Sequence, residues 1–279
     1  MGGVRVVTDS TADLGPLAAA HGVAVVPLSV TFGEDTFEDG VTIDSPTFFA
    51  RLSDGRQRPT TSQPAPGAFE ACFRRAFAEG ADAVVAIQVS ARLSGTYQTA
   101  LAVAETLRAE GAHIEVLDSA QASLGMHFGV LAASRAAREG ADAGQVAAAA
   151  RDALERSRVY LVADDLEYLR RGGRIGQAQR VVGTLLNVKP IITLRGGGVV
   201  ALESPRTRRR AYERLAEYAR EQAPLEGVIV GQSSPALGDE LEAAVRQAYA
   251  APIHRMWAGP TIGTHVGPGA VGMALLRAR

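Results

Sequence analysis

The first half of the chain alternates short β-branched runs with longer alanine-rich stretches. That alternation constrains the fold more than any other feature. Val4 to Thr8, Val23 to Thr31, Val84 to Val89 and Ile114 to Leu117 are strand-sized and apolar. Pro66 to Glu79, Ser94 to Glu110, Gln121 to Glu139 and, past the breaker Gly140, Ala143 to Arg156 have helical length and spacing. A strand apolar along its whole length must be covered on both faces, and helices in the crossovers supply that cover. The expectation is an α/β fold with a largely parallel sheet.

The second half has a different grammar. Val159 to Val162, Pro190 to Leu194, Val199 to Glu203, Val228 to Gly231 and Ile253 to Trp257 are strand-like, while Arg206 to Gln222 and Pro235 to Ala250 are helical. Arg195-Gly196-Gly197-Gly198 between two of the strands is a hairpin turn signal. This predicts a mixed or antiparallel sheet with helices. The expected division is an N-terminal α/β domain, 1–157, and a C-terminal α/β domain, 158–279.

Charge and cysteine content narrow the function classes. Lys+Arg number 29 against 30 Asp+Glu, for a net charge of -1. There is no basic surplus for a nucleic-acid backbone. The single cysteine, Cys72, excludes an intrachain disulfide. No signal-peptide pattern is visible, and no apolar run approaches the roughly 18–20 residues of a spanning helix. A soluble cytoplasmic protein without an integral membrane segment is expected. Nothing matches a Walker loop, and no G-x-G-x-x-G follows the first strand. His21, His113, His127, His254 and Cys72 form no ligand cluster of metal spacing.

Four hydroxyl-rich segments fall at predicted strand ends or helix starts. They are Thr8-Asp9-Ser10-Thr11, Thr60-Thr61-Ser62-Gln63-Pro64, Ser90-Ala91-Arg92-Leu93-Ser94-Gly95-Thr96 and Asp118-Ser119. In an open parallel sheet, ligands bind at the carboxyl ends of the strands. Helix N-termini there offer free N–H groups, so hydroxyls beside them suit a carboxylate or phosphate. The ordinary reading of each segment is a helix N-cap. Gly95 after Ser94 lets a ligand approach the backbone closely. Ser94 also sits where a hydrolase nucleophile would, although its surroundings do not satisfy G-x-S-x-G.

Gly259 to Gly269 is dense in glycine and proline and is expected to be a shaped loop, not a helix or strand. His265 within it would be accessible, able to donate to an anion or move a proton near neutral pH. Asp164 to Arg174 is a short amphipathic turn ending in a basic, glycine-bearing cap. Its arginines make a normal helix stop or, alternatively, face a phosphate or an acidic partner. The cluster Arg206, Arg208, Arg209, Arg210 is a solvated helix start or a docking patch.

Taken together, the motifs resemble the DegV family of bacterial fatty-acid-binding proteins. The matching blocks are Val7 to Leu14, Thr61 to Gly67, Leu93 to Gln98, Asp118 to Ser123, Tyr168 to Ile175, Leu186 to Ile191 and Gly259 to Gly272. Each is weak alone; the ordered set spans nearly the whole chain. Ala65, where a serine is common, and the Arg195 to Gly198 turn, in place of a more acidic one, are the departures.

The resemblance implies two α/β domains with one long-chain fatty acid buried at their junction. Hydroxyls matching Thr61, Ser62 and Ser94, with Gly95 and Thr96 beside it, would hold the carboxylate, and His265 would lie nearby. It implies no resident cofactor and no catalysis by the chain itself. In some members a separate ATP-dependent kinase phosphorylates the bound fatty acid for phospholipid synthesis, with Arg171 and His265 serving that interaction or transfer. A tail of ~16 carbons at about 0.8 kcal/mol per methylene supplies roughly 10 kcal/mol of gross driving force. Hydroxyls and helix N-termini would supply donors without a fixed countercharge. The tunnel-lining residues do not follow from the sequence; Met126-His127-Phe128 and nearby leucines are candidates. The competing readings are a serine esterase or thioesterase using Ser94 and His265, and a lipid sensor acting through a protein partner.

Overall fold

The computed structural model describes residues 3–164, 166–181 and 188–279. Asp165, Leu186 and Asn187 of the motifs above lie outside the described residues. The chain opens with β1 (Val4–Asp9), the single turn α1 (Leu17–Ala20) and β2 (Ala24–Val26). β3 (Ser29–Phe32), β4 (Asp35–Glu38), α2 (Ser45–Ser53) and β5 (Pro59–Ser62) follow. Next come α3 (Pro66–Ala78), β6 (Ala83–Gln88), α4 (Thr96–Ala109), β7 (Ile114–Asp118), α5 (Leu124–Arg138) and α6 (Ala143–Arg156).

β1, β2, β6 and β7 form a parallel sheet in the order β2-β1-β6-β7. Both faces of this sheet are covered by helices. Val6, Val85 and Ile87 point to α5 and α6, where they meet Met126, Val130 and Val146. Their neighbours Val7, Val84 and Ala86 point the other way, to Phe69 and Phe73 of α3 and Ala100 and Ala104 of α4. Each fully buried valine or isoleucine contributes about 1.5–3 kcal/mol. α6 starts with a reciprocal cap, Asp142 accepting from the Gln145 backbone and Gln145 accepting from the Asp142 backbone.

The later elements are β8 (Ser157–Val162), α7 (Glu167–Arg171), β9 (Ile191–Arg195), β10 (Gly198–Glu203), α8 (Arg208–Glu221), β11 (Leu225–Gln232), α9 (Pro235–Val245), β12 (Ile253–Trp257), α10 (Pro260–Val266) and β13 (Val271–Arg277). They build a mixed sheet in the order β10-β9-β8-β13-β11-β12, in which only β11 and β12 run parallel. Val162, Val230, Met273 and Leu275 face α8 and α9 through Leu215, Tyr218 and Leu241. The opposite face looks toward the carboxyl ends of the parallel strands. The α/β class with one parallel and one mixed sheet is as expected from the sequence. The β9–β10 turn is also as expected, with Gly196 and Gly197 at φ +54° and +79°.

Two local expectations fail. Val23 to Thr31 is two strands, because Pro27 lacks the N–H that a continuous ladder needs. β2 joins the parallel sheet, whereas β3 pairs with β4 and β5 in a separate antiparallel sheet of three strands. The Gly259 to Gly269 segment is not a loop throughout, since α10 occupies Pro260–Val266. Pro260 supplies the preset φ of a first turn, and Gly267, at φ +83°, stops the helix. Gly263 lets α10 press onto α2, where a Cβ would fall 2.5 Å from Phe48. The central strand β13, the short α2 and the pairing of β3 with β4 and β5 had no sequence expectation.

His127 on α5 is buried, and burial drives its ring down to about 4. The ordinary value is 6.5, so the stability it contributes is present above about pH 6.5 and lost as pH falls toward 4. His127→Leu should therefore lose less stability than the parent between about pH 7 and about pH 4.5, by about 1–3 kcal/mol. Urea midpoints at the two pH values check this; parallel losses would contradict it.

Candidate functional site

Between the bare face of the mixed sheet and the carboxyl ends of the parallel strands lies a cavity of about 380 Å³. Its walls are mostly apolar, with Leu28, Leu93, Leu124, Leu161, Leu169 and Ile192 among them. The volume falls within the range of small-molecule sites. Polar groups gather at one part of it: Thr61, Ser62, Gln63, Ser94, Arg174 and His265 all line the cavity.

Different elements deliver these side chains. Thr61 and Ser62 sit on β5, where Thr61 is opposite Val30 and Ser62 opposite Ser29. The Thr60 to Pro64 segment is thus a strand end, not merely a lead into α3. Ser94 precedes α4, and its Oγ lies 2.8 Å from the Thr96 Oγ1 and accepts from the Thr96 N–H at 3.2 Å. Thr96 is fully buried and does not line the cavity, so it orients Ser94. Gly95 is exposed and caps α4. The Gln63 side chain packs against Gly95.

His265 on α10 meets Thr61, with Nε2 2.9 Å from the Thr61 Oγ1. The ring is half-buried, and its Nδ1 has no hydrogen-bond partner among the described residues. Burial, then the charge of Arg174, lowers its pKa to about 4. His265 is accordingly neutral near pH 7 and does not titrate there, contrary to the expectation of an accessible, neutral-range histidine. Gly172 lies against the ring, since a Cβ on it would fall 2.3 Å from Nδ1.

A positive side chain is present after all. Arg174 lines the cavity and is fixed by donating from Nε to the Leu93 carbonyl at 3.0 Å and from Nη1 to the Gly172 carbonyl. This corrects the expectation of a site without a fixed countercharge. Arg171 is exposed, does not line the cavity and pairs with Glu167. The two arginines of one motif thus have separate settings. The sequence did not distinguish them, because α7 ends at Gly172 and the chain turns before Arg174.

The other two hydroxyl segments mainly brace the fold, although Thr11 also lines the cavity. Asp9 accepts from the N–H groups of Val89 at 2.7 Å and Thr11 at 2.9 Å, and Thr11 spends its hydroxyl on the same carboxylate. Asp118 accepts from Ala91 and Ala120 N–H groups and lies outside the cavity. Met126, His127 and Phe128 do not line the cavity, whereas Leu124, one turn earlier, does. Of the second-half arginines, Arg208 binds Asp164 and the Gly269 carbonyl, while Arg209 and Arg210 pair with glutamates along α8.

Two residues with no role assigned from sequence hold the histidine helix. Asp13 Oδ1 accepts from the Gly259 N–H at 2.9 Å, and Asp39 Oδ2 accepts from the Thr261 N–H at 3.2 Å. Ser123 donates to Asp13, and Ser10 donates to Asp39 at 3.0 Å. Both carboxylates are buried and satisfy free N–H groups at the start of α10. Burial raises both pKa values, Asp13 well above the usual range and Asp39 to about 6.

The arrangement does not form a nucleophile–base pair. Ser94 bonds to Thr96 and His265 to Thr61, and among the described residues no carboxylate orients the His265 Nδ1. Acyl transfer by a serine needs the serine–histidine contact. No group of three or more His, Cys, Asp or Glu among the described residues could hold a metal ion. No described helix is long and apolar enough to cross a membrane.

Fold and site together define an α/β protein with an apolar cavity and a polar end. The family model described as "Uncharacterised protein, DegV family" matches residues 3–278, and the chain belongs to the DegV family. A DegV domain-containing protein of Halalkalibacterium halodurans is 36% identical, with 97% of each chain covered. A solved DegV family protein of Thermus thermophilus, described as fatty acid binding, is 33% identical with a TM-score of 0.87, covering 99% of this chain and 100% of that one. A stearic acid-binding protein of Eubacterium ventriosum is 25% identical with a TM-score of 0.90, covering 98% of each chain.

The raised value of Asp39 has a sign. Against an ordinary 3.8, its contribution to stability is full below about pH 4 and lost as pH rises through about 6. Asp39→Asn, which mimics the protonated acid, should gain stability relative to the parent as pH rises from about 5 to about 8. Denaturant midpoints across that range test it; a constant offset would refute the assignment.

Proposed function

We propose that this protein binds one long-chain fatty acid and presents its carboxylate to a separate ATP-dependent kinase. The observation that carries the reading is a leucine-rich cavity that ends in hydroxyls, a neutral imidazole and an arginine. An acyl tail gains about 0.8 kcal/mol for each methylene it buries there. Its carboxylate, costly to bury alone, finds donors at Thr61, Ser62, Ser94 and Arg174. Neutral His265 adds a ring N–H without repelling that arginine. Thr96 and Gly95 act through Ser94, the first by holding its hydroxyl and the second by leaving the backbone open. The fatty acid binding described for the Thermus and Eubacterium proteins supports the same class of ligand.

The ligand would lie between an N-terminal domain, 1–157, and a C-terminal domain, 158–279. A cytoplasmic setting suits a carrier of this kind. Arg171, exposed on the helix that abuts His265, is placed for a partner protein and not for the buried ligand. An acidic kinase surface is the contact it would make.

Ser94→Ala and Thr61→Ala should each weaken fatty acid retention by roughly 5- to 30-fold, the loss of about 1–2 kcal/mol of hydrogen bonding to a charged group. Competition between a fluorescent and a natural fatty acid measures it. Unchanged affinity in both variants would refute the carboxylate site. Arg171→Ala should leave that affinity intact and lower acyl-phosphate formation by a reconstituted kinase about tenfold or more. Equal turnover by variant and parent would refute the partner role.

A further inference from the structure

The mixed sheet dictates where an acyl chain can lie. At the carboxyl end of β8 the chain passes into α7, whose Gly172 abuts His265. Stepping back along the cavity face of β8, Leu161 and then Val159 line the cavity. Each step carries the wall about 6.6 Å further from the polar end. Beside Leu161 the sheet is bare, because Gly272 pairs with Leu161 and Gly231 pairs with Gly272. Both glycines line the cavity. In the next row, Val159 pairs with Ala274 and Leu194 with Val199.

Behind that row lies a second, polar cleft of about 940 Å³, with Asp118, Arg151, Glu155 and Arg158 in its walls. Tyr160, Thr193 and Leu194 line both spaces. The facing segment divides in the same way: Ser119 to Gln121 line the cleft, and Ala122 to Leu124 line the cavity. The partition on the sheet is therefore a single residue thick.

Of its three residues, two have side chains committed elsewhere. Tyr160 stacks on Tyr218 with ring centroids 4.8 Å apart, on the face covered by α8. Thr193 donates its hydroxyl to the Val159 carbonyl at 2.6 Å. Leu194, two residues beyond the cavity-facing Ile192, points to the cavity side and packs with its apolar lining. The turn that follows is pinned, since the buried Ser90 donates its hydroxyl to the Gly197 carbonyl at 2.8 Å. A Cβ on Gly197 would fall 2.4 Å from that hydroxyl.

We propose that Leu194 is the end stop of the acyl channel and sets the longest chain the protein accepts. The inference rests on the fatty acid reading above. A shorter residue at this position opens the channel toward the polar cleft, and a longer one closes it earlier. The parent, Leu194→Ala and Leu194→Phe are each incubated with an equimolar series of saturated acids from lauric to behenic. Bound acids are then extracted and weighed by mass spectrometry. The ratio of arachidic to stearic acid should rise about tenfold in Leu194→Ala, the worth of two further buried methylenes. It should fall in Leu194→Phe. Should the alanine variant fail to fold, Leu194→Val and Leu194→Phe carry the same opposed expectations. An unchanged ratio in loaded variants overturns the end stop while leaving the fatty acid reading intact. Failure of the parent to take up any acid overturns both.

Discussion

Two buried carboxylates at one end of the chain hold the start of a helix at the other. Asp13 and Asp39 receive the N–H groups of Gly259 and Thr261, more than 200 residues away in sequence. The helix so held, α10, carries His265 to the Thr61 hydroxyl. Without this contact the helix would start with unpaired buried donors, each costing about 1–3 kcal/mol. The cavity depends on it, because Thr61 and Ser94 come from the N-terminal half, whereas His265 and Arg174 come from the C-terminal half. The polar end of the site exists only where these halves are held in register.

The electrostatics of the two ends differ. Around α10 the buried acids are pushed toward protonation by loss of water. At the cavity, burial and Arg174 push His265 toward the neutral form. The site therefore offers an incoming carboxylate one fixed positive charge and several neutral donors. On the proposed reading, that balance would suit a carboxylate that is retained and yet reached by a kinase. A site of several arginines would hold the carboxylate more firmly and leave its oxygens less accessible. Arg171, three residues before Arg174, remains outside on the surface.

Much of the fold was legible because it rests on local pattern. The parallel strands are short runs rich in β-branched residues, and Val6 and Val7 go to opposite helical layers as period-two alternation requires. The β9–β10 turn was legible because three successive glycines leave few other backbone choices. β13 was not, although it is central to its sheet: its pairing with β8 and β11 is set by tertiary contact. α10 was hidden for the same reason, since its caps lie far away in sequence. In the site, Ser94, Thr61, Ser62 and His265 were found through ordered motifs. Arg174 was quoted with its motif but given no role, because only the turn after α7 separates it from Arg171. Asp13 was likewise quoted within a motif and given no role, and Asp39 carried no local signal.

The central claim is that the cavity between the two sheets holds a single fatty acid. The most direct test compares the mass of the purified protein under native conditions with its mass after denaturation and extracts whatever is released. The account predicts a difference equal to one long-chain fatty acid, or stoichiometric uptake of one when it is added to stripped protein. A protein of identical mass in both states that takes up no added fatty acid would contradict it.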